Sequence, residues 1–227
     1  MAREDLPAKG AILQRDEETY AIPIDLPGGV MDLPSARRIA EVAQKYQART
    51  LKITGDARLA LIGIREQDIG NVYTDLDLPI QPGMALCQQY IKVCPGNAFC
   101  IRGQQDTLAF ARRLKEAFYP FPKIAAKIKI GISGCFNSCA EPAIKDLGLI
   151  GLTKGWVLMV GGAGGKEPLI ARTIARDLDA DQALAATGKI LHYYRGMAAR
   201  HQTRNFRLGT ILAKEGTERL RRICGFA

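Results

Sequence analysis

Two pairs of cysteines, Cys94-x5-Cys100 and Cys135-x3-Cys139, constrain this chain more than any other feature. Soft thiolates set in two nearby pairs are the donors that iron–sulfur clusters and structural zinc select. Neither pair has the C-x2-C spacing of zinc ribbons or bacterial ferredoxins, so each needs a loop of its own, and the fold must bring the two loops together. Pro95, Gly96, Gly134 and small Ser138 flank the pairs and let backbone amides approach a sulfur. The residues alone leave three outcomes open: a 4Fe-4S cluster on Cys94, Cys100, Cys135 and Cys139, a zinc site on the same side chains, or buried free thiols. Cys87 and Cys224 stand apart from the pairs and read as small apolar residues.

With 227 residues the chain can bury a full core, as one domain or as two lobes around a shared site. Apolar runs such as Trp156–Val160 are too short to cross a bilayer, and Met1–Pro7 carries no apolar signal core. The expectation is a cytoplasmic protein without a membrane span, its thiols reduced. The net charge of +9 comes from 32 Lys and Arg against 23 Asp and Glu, which on composition would permit a nucleic-acid partner. No basic run interleaved with aromatics supports one, so a cleft for small oxyanions and a polycarboxylate cofactor is the expected use, and no nucleic acid.

Periodicity divides the chain. Residues 18–26 read as a strand, Pro34 and Ser35 open a helix with Ile39, Val42, Ala43 and Tyr46 along one face, and Thr50–Thr54 alternates like a half-buried strand. Leu59–Ile64 resumes a strand and leads into a helix near Arg65–Asp68. The fold class expected is α+β, with a ferredoxin-like half domain over 1–80, a linker at Pro79–Gly83, and an α/β domain over 84–227. In the second domain a helix spans about Gln104–Phe118 and ends at Pro120 and Pro122. Lys127–Ile132 alternates as a strand that delivers Cys135, and a strand over Gly155–Val160 enters the loop Gly161-Gly162-Ala163-Gly164-Gly165. Helices are then expected over Pro168–Leu178 and Asp181–Ala199, with a helical, polar tail after Thr210.

On the Lys127–Ile132 strand, residues two apart share a face, so Lys127 and Lys129 can converge on one ligand while Ile128 and Ile130 face the core. The same alternation suits an edge strand protected against pairing. The glycine loop has neither a dinucleotide fingerprint nor a Walker lysine, so nucleotide binding is not expected, and a mobile hairpin is its plainest reading. His192 and His201 read as structural or surface residues.

The words around the cysteines, Val93–Cys100 (VCPGNAFC) and Ser133–Pro142 (SGCFNSCAEP), resemble the cluster signature of the sirohaem-dependent sulfite and nitrite reductases. Thr54–Leu59 (TGDARL) and Lys127-Ile128-Lys129 extend the resemblance, which covers most of residues 20–180. It implies a 4Fe-4S cluster on the paired cysteines, Cys139 bridging it to a sirohaem, and Arg58, Lys127 and Lys129 lining a substrate anion site. It further implies that Lys92, Arg102, Asn137, Gly161, Gly162, Gly164 and Lys166 contact the cofactor, the glycines and Lys166 through its carboxylates. The implied reaction is reduction of sulfite or nitrite, with sulfite favoured by the Cys135, Asn137, Cys139 wording, and with electrons from a separate carrier such as a ferredoxin. An iron–sulfur carrier or sensor on the same module is the alternative. Two departures matter: Gly55 and Asp56 precede Arg58, as in nitrite-reductase-like sequences, and the chain is one module where typical assimilatory enzymes repeat it. The resemblance is therefore to small single-module sulfite reductases, and a homodimer is one way to complete the site.

Overall fold

In the N-terminal sheet, β2 (Thr19–Ile24) and β4 (Leu59–Arg65) pair antiparallel as its centre, with β1 (Ile12–Leu13) and β3 (Thr50–Ile53) outside them in the order β1-β2-β4-β3. The computed structural model describes residues 3–55, 57–80, 89–118, 127–201 and 207–226. The chain divides into two units, Met1–Cys87 and Gln88–Ala227. Helix α1 (Leu33–Lys45) starts where the Asp32 carboxylate accepts the Ser35 amide at 2.7 Å, with Pro34 in its first turn. Helix α2 (Ile69–Leu76) buries Ile69, Val72, Tyr73 and Leu76 against Tyr20, Ile22, Leu61 and Ile64. The strand, helix, strand, helix order is the α+β half domain expected. Strand β3 corrects the expectation of half burial: all four of its residues are exposed, because it is a sheet edge.

The second unit is built on a five-stranded sheet in the order β5-β6-β7-β8-β9. Strands β5 (Gln89–Val93), β6 (Ile128–Ser133) and β7 (Leu147–Leu152) run parallel, and β8 (Gly155–Val160) and β9 (Arg172–Leu178) complete it antiparallel. Ile128, Ile130 and Ile132 are fully buried on one face of β6, with Phe110 and Leu114 of α4 (Thr107–Phe118) and Ile190 and Tyr194 of α5 (Ala180–His201) in the same core. Both helices have side-chain starts: the Asp106 carboxylate accepts the Ala109 amide at 2.9 Å, and Asp179 and Gln182 cap each other's amides reciprocally. Helices α6 (Leu208–Glu215) and α7 (Glu218–Cys224) close the unit. A one-turn helix, α3 (Gly96–Phe99), lies between Cys94 and Cys100.

Two expectations change here. The helix foreseen over Pro168–Leu178 is instead strand β9, bonded along β8. Strand β6 is interior, flanked by β5 and β7, so edge protection does not account for its lysines. The Pro79–Gly83 linker beyond Ile80, the residues Pro120 and Pro122, and Cys87 lie outside the described residues. Among the described residues no helix is long and apolar enough to cross a membrane.

Candidate functional site

Because β5 and β6 are parallel neighbours with Val93 opposite Ile132, the chain leaves both strands at the same end. Cys94 follows the first and Cys135 the second, at the carboxyl edge where open α/β sheets place their ligands. Three contacts tie the loops. The Gly134 amide donates to Cys94 Sγ at 3.1 Å, the Gln104 amide donates to the Gly134 carbonyl at 2.7 Å, and the Cys94 amide donates to the Ile132 carbonyl at 3.0 Å. Glycines make this approach possible: a Cβ on Gly134 would stand 3.0 Å from Gly96 Cα, and one on Gly103 would overlap the Gly96 carbonyl carbon at 2.2 Å.

Cys94, Cys100 and Cys135 are part-buried and Cys139 is exposed, all as free thiols. Among the described residues no three His, Cys, Asp or Glu side chains stand close enough to hold a single metal ion. A cubane takes each thiolate at a separate iron corner, whereas zinc gathers all its sulfurs within about 2.3 Å of one centre. The donor chemistry fits the cluster class: four thiols stand on two joined loops, and the Cys94 sulfur accepts a backbone amide hydrogen.

On the other face of β6, Lys127 and Lys129 are part-buried and share their side with Gly131 and Ser133, away from the isoleucines. The chain after Cys139 lies flat over this face. Gly131 and Gly148 are partners across β6 and β7, and a Cβ on either would strike that segment, at the Ala140 carbonyl (2.7 Å) or the Pro142 carbonyl (2.4 Å). Ser133 Oγ accepts the Ala140 amide at 3.0 Å. The segment thereby carries Glu141 and Lys145 over the lysine face.

The charges there form one network. Glu141 accepts Lys92 Nζ on one oxygen and Lys145 Nζ on the other, both at 2.8 Å, and the Lys145 ammonium first, then that of Lys92, hold its carboxyl down to about 2. Lys129 Nζ stands 5.2 Å from the centre of the Tyr90 ring and Lys145 Nζ 6.0 Å from it. Burial, then the cations Arg207, Lys145 and Lys127, push the Lys129 ammonium below its usual range, against the pull of Asp146. Asp146 is fully buried, and each of its oxygens takes one arm of the Arg207 fork at 2.9 Å. Burial pushes its carboxyl up and the fork opposes that push.

The remaining expected residues separate. Arg102, Asn137, Gly164 and Lys166 are exposed, as is His192. Gly161 and Gly162 are buried, and a Cβ on Gly162 would stand 2.6 to 2.8 Å from backbone atoms of Ala143 and Lys145, so part of the glycine loop serves close packing against that segment. Paired amide bonds between Ala163 and Leu169 close the loop. Arg58 belongs to the first unit, buried in the turn between β3 and β4, where its amide donates to Thr54 Oγ1 at 3.1 Å. Cys224 is buried in the core, which pushes its thiol up. Sequence reasoning missed Tyr90, Glu141, Lys145, Asp146 and Arg207, whose partners are fixed by topology rather than by spacing. The exposed Phe99, Ile101 and Phe136 flank the cysteines on both loops.

A family model described as the nitrite and sulphite reductase 4Fe-4S domain matches residues 87–225, and one described as the nitrite/sulfite reductase ferredoxin-like half domain matches 12–78. The chain is 36% identical over 215 residues to the assimilatory-type sulfite reductase of Nitratidesulfovibrio vulgaris, covering 94% of this chain and 95% of that protein. It is 35% identical over 188 residues to the NAD(P)H nitrite reductase of Bacillus subtilis, of which it spans 23%. Among solved structures, the Mycobacterium tuberculosis NirA protein superposes with a TM-score of 0.78 at 17% identity, over 91% of this chain and 39% of that one, a likeness of fold.

Proposed function

Because the chain belongs to the nitrite and sulphite reductase family and is an oxidoreductase of the sirohaem and iron–sulfur type, we propose that it reduces sulfite to sulfide, in preference to nitrite to ammonia. The observations that support this reading are two cysteine loops joined past the carboxyl ends of β5 and β6, and a cationic face on β6 that the chain after Cys139 lies over. The preference for sulfite rests on the relative named a sulfite reductase, which matches over nearly its whole length, whereas the nitrite reductase from Bacillus subtilis matches over less than a quarter of its own.

Cys94, Cys100, Cys135 and Cys139 would hold the 4Fe-4S cluster, with Cys139 as the ligand shared with sirohaem, and the bound groups would supply the electrons for the reduction. Lys127 and Lys129 attract the oxyanion and hold protons at Nζ for oxygens that leave as water. Lys129 suits that task because burial and its cationic neighbours ease its proton off. Lys92, Arg102, Asn137, Gly161, Gly162, Gly164 and Lys166 remain candidate contacts to the cofactor, and Arg58 a candidate contact to the substrate. An external electron carrier, a homodimer and a reducing cytoplasmic setting complete the proposal.

Its test is the visible spectrum of anaerobically purified protein, with iron, acid-labile sulfide and extracted tetrapyrrole quantified per chain, followed by assays on both oxyanions. Sirohaem with about four cluster irons and one haem iron is expected. A cluster without tetrapyrrole after sirohaem-replete expression would instead indicate a carrier or sensor. Lys129→Ala should keep both cofactors and lose about 100-fold in reduction rate, the scale of removing one preorganised charge-stabilising group; wild-type turnover would defeat the assigned role.

A further inference from the structure

Among the described residues Asp146 is the buried carboxylate beside the lysine face, and its contacts reach three different elements. One oxygen accepts Arg207 Nε at 2.9 Å; the other accepts Arg207 Nη2 and the Lys129 backbone amide, both at 2.9 Å. Its own carbonyl takes the Gly161 amide at 2.8 Å. The residue thus joins β6, the start of α6 and the turn after β8 at one point, just before β7. The bond to Lys129 is made by a side chain to the strand amide itself. Lys129 is thereby held at its backbone by the same group whose charge faces its ammonium.

From this geometry we infer that Asp146 is a positioning residue for Lys129: it fixes where the strand presents that side chain and, with Arg207, sets the charge that surrounds it. The inference rests on the reading of Lys129 as the group that meets the oxyanion. The groups facing Lys129 come from every side: Tyr90 from β5, Lys127 on its own strand, Lys145 and Asp146 from the segment before β7, and Arg207 ahead of α6. Tyr194 of α5 reaches the same place through its hydroxyl, which donates to the Lys127 carbonyl at 2.9 Å. Among these groups Asp146 is the anion whose charge favours the Lys129 ammonium, and Arg207, Lys145 and Lys127 oppose it.

The two members of the pair must then act on Lys129 with opposite sign, which a purely structural role would not produce. Competitive acetylation of the holoenzyme by trace acetic anhydride across alkaline pH, read by mass spectrometry of the peptide containing Lys129 against the exposed Lys154, reports the fraction of free amine without turnover. Asp146→Asn removes the attraction and should raise the relative labelling of Lys129 by about 3-fold, whereas Arg207→Gln removes a repulsion and should lower it by about 3-fold, each a shift near half a pH unit. Asp146→Asn should also lower kcat by about 10-fold at unchanged iron, sulfide and sirohaem per chain, a loss of positioning rather than of cofactor. Unchanged labelling in the variants overturns the inference, as does wild-type kcat in Asp146→Asn. Where Asp146→Asn does not fold, Arg207→Gln alone decides it by the direction of the labelling change. If Lys129→Ala turns over normally, the oxyanion role fails while the labelling still tests the link from Asp146 to Lys129, so the two failures are separable.

Discussion

The two cysteine loops leave neighbouring strands and meet at one place, yet they are held by different forces. The first, Cys94–Cys100, is fixed by neutral contacts: Thr107 Oγ1 donates to the Cys94 carbonyl at 2.6 Å, the Asn97 amide to the Gln105 carbonyl at 3.1 Å, and the Cys100 amide to the Gly96 carbonyl at 2.9 Å. Glycine contacts fill the space that remains. The second, Cys135–Cys139 with the two residues that follow it, bends through left-handed non-glycine residues, Ser138 (φ 54°) and Glu141 (φ 57°), and the bend is tied down by Lys92 and Lys145 on the Glu141 carboxylate. One loop is set by shape and the other in part by charge. Mutation and pH should therefore act on them differently.

The comparison breaks most completely at the sulfurs. Cys94→Ser and Cys139→Ser should each abolish intact cluster assembly, seen as loss of iron and acid-labile sulfide per chain. Cys139→Ser should also lose the coupled sirohaem. Next is shape: Gly96 has φ +58° and a Cβ there would stand 2.3 Å from Thr107 Oγ1, so Gly96→Ala should destabilise the protein by about 3 kcal/mol in a denaturant titration. A smaller effect is expected of Thr107→Val, about 1 to 2 kcal/mol for one buried hydrogen bond, with no dependence on salt.

Smallest, and different in kind, is the charge clasp. Glu141 is partly exposed, so Glu141→Gln should cost less than about 1 kcal/mol, and added salt should shrink that cost. Its carboxyl lies lower in the folded chain, at about 2, than its ordinary 4.5, so its contribution is complete above 4.5 and fades as pH falls toward 2. The difference between wild type and variant should close across that window. A gap that stays constant to the acid end would mean that the second loop, too, is held by shape.

Much of this was legible from residue order. The α1 opening at Pro34 and Ser35 and the β6 alternation with Ile128 and Ile130 inward follow from local chemistry, and the structure agrees with both. Strand β9 misled because Ile174 and Leu178, four apart, share a face in a strand as well as in a helix, and both are buried. Strand β7 was hidden by Gly148 and Gly151, which look like loop residues but leave room for Pro142 and Gln105. The Glu141, Asp146 and Arg207 contacts carried no local signal at all: the pairing of Arg207 with Asp146 spans 61 residues and exists only once the sheet has formed.

The parallel pairing of β5 with β6 also dictates timing. The amide that reaches Cys94 Sγ comes from 40 residues further along the chain, and a contact of that separation forms late, after the loop-closure entropy of the intervening segment has been met. On a ribosome Cys94 and Cys100 would emerge well before Cys135 and Cys139. Assembly of the proposed cluster would then have to follow the completed fold rather than the growing chain.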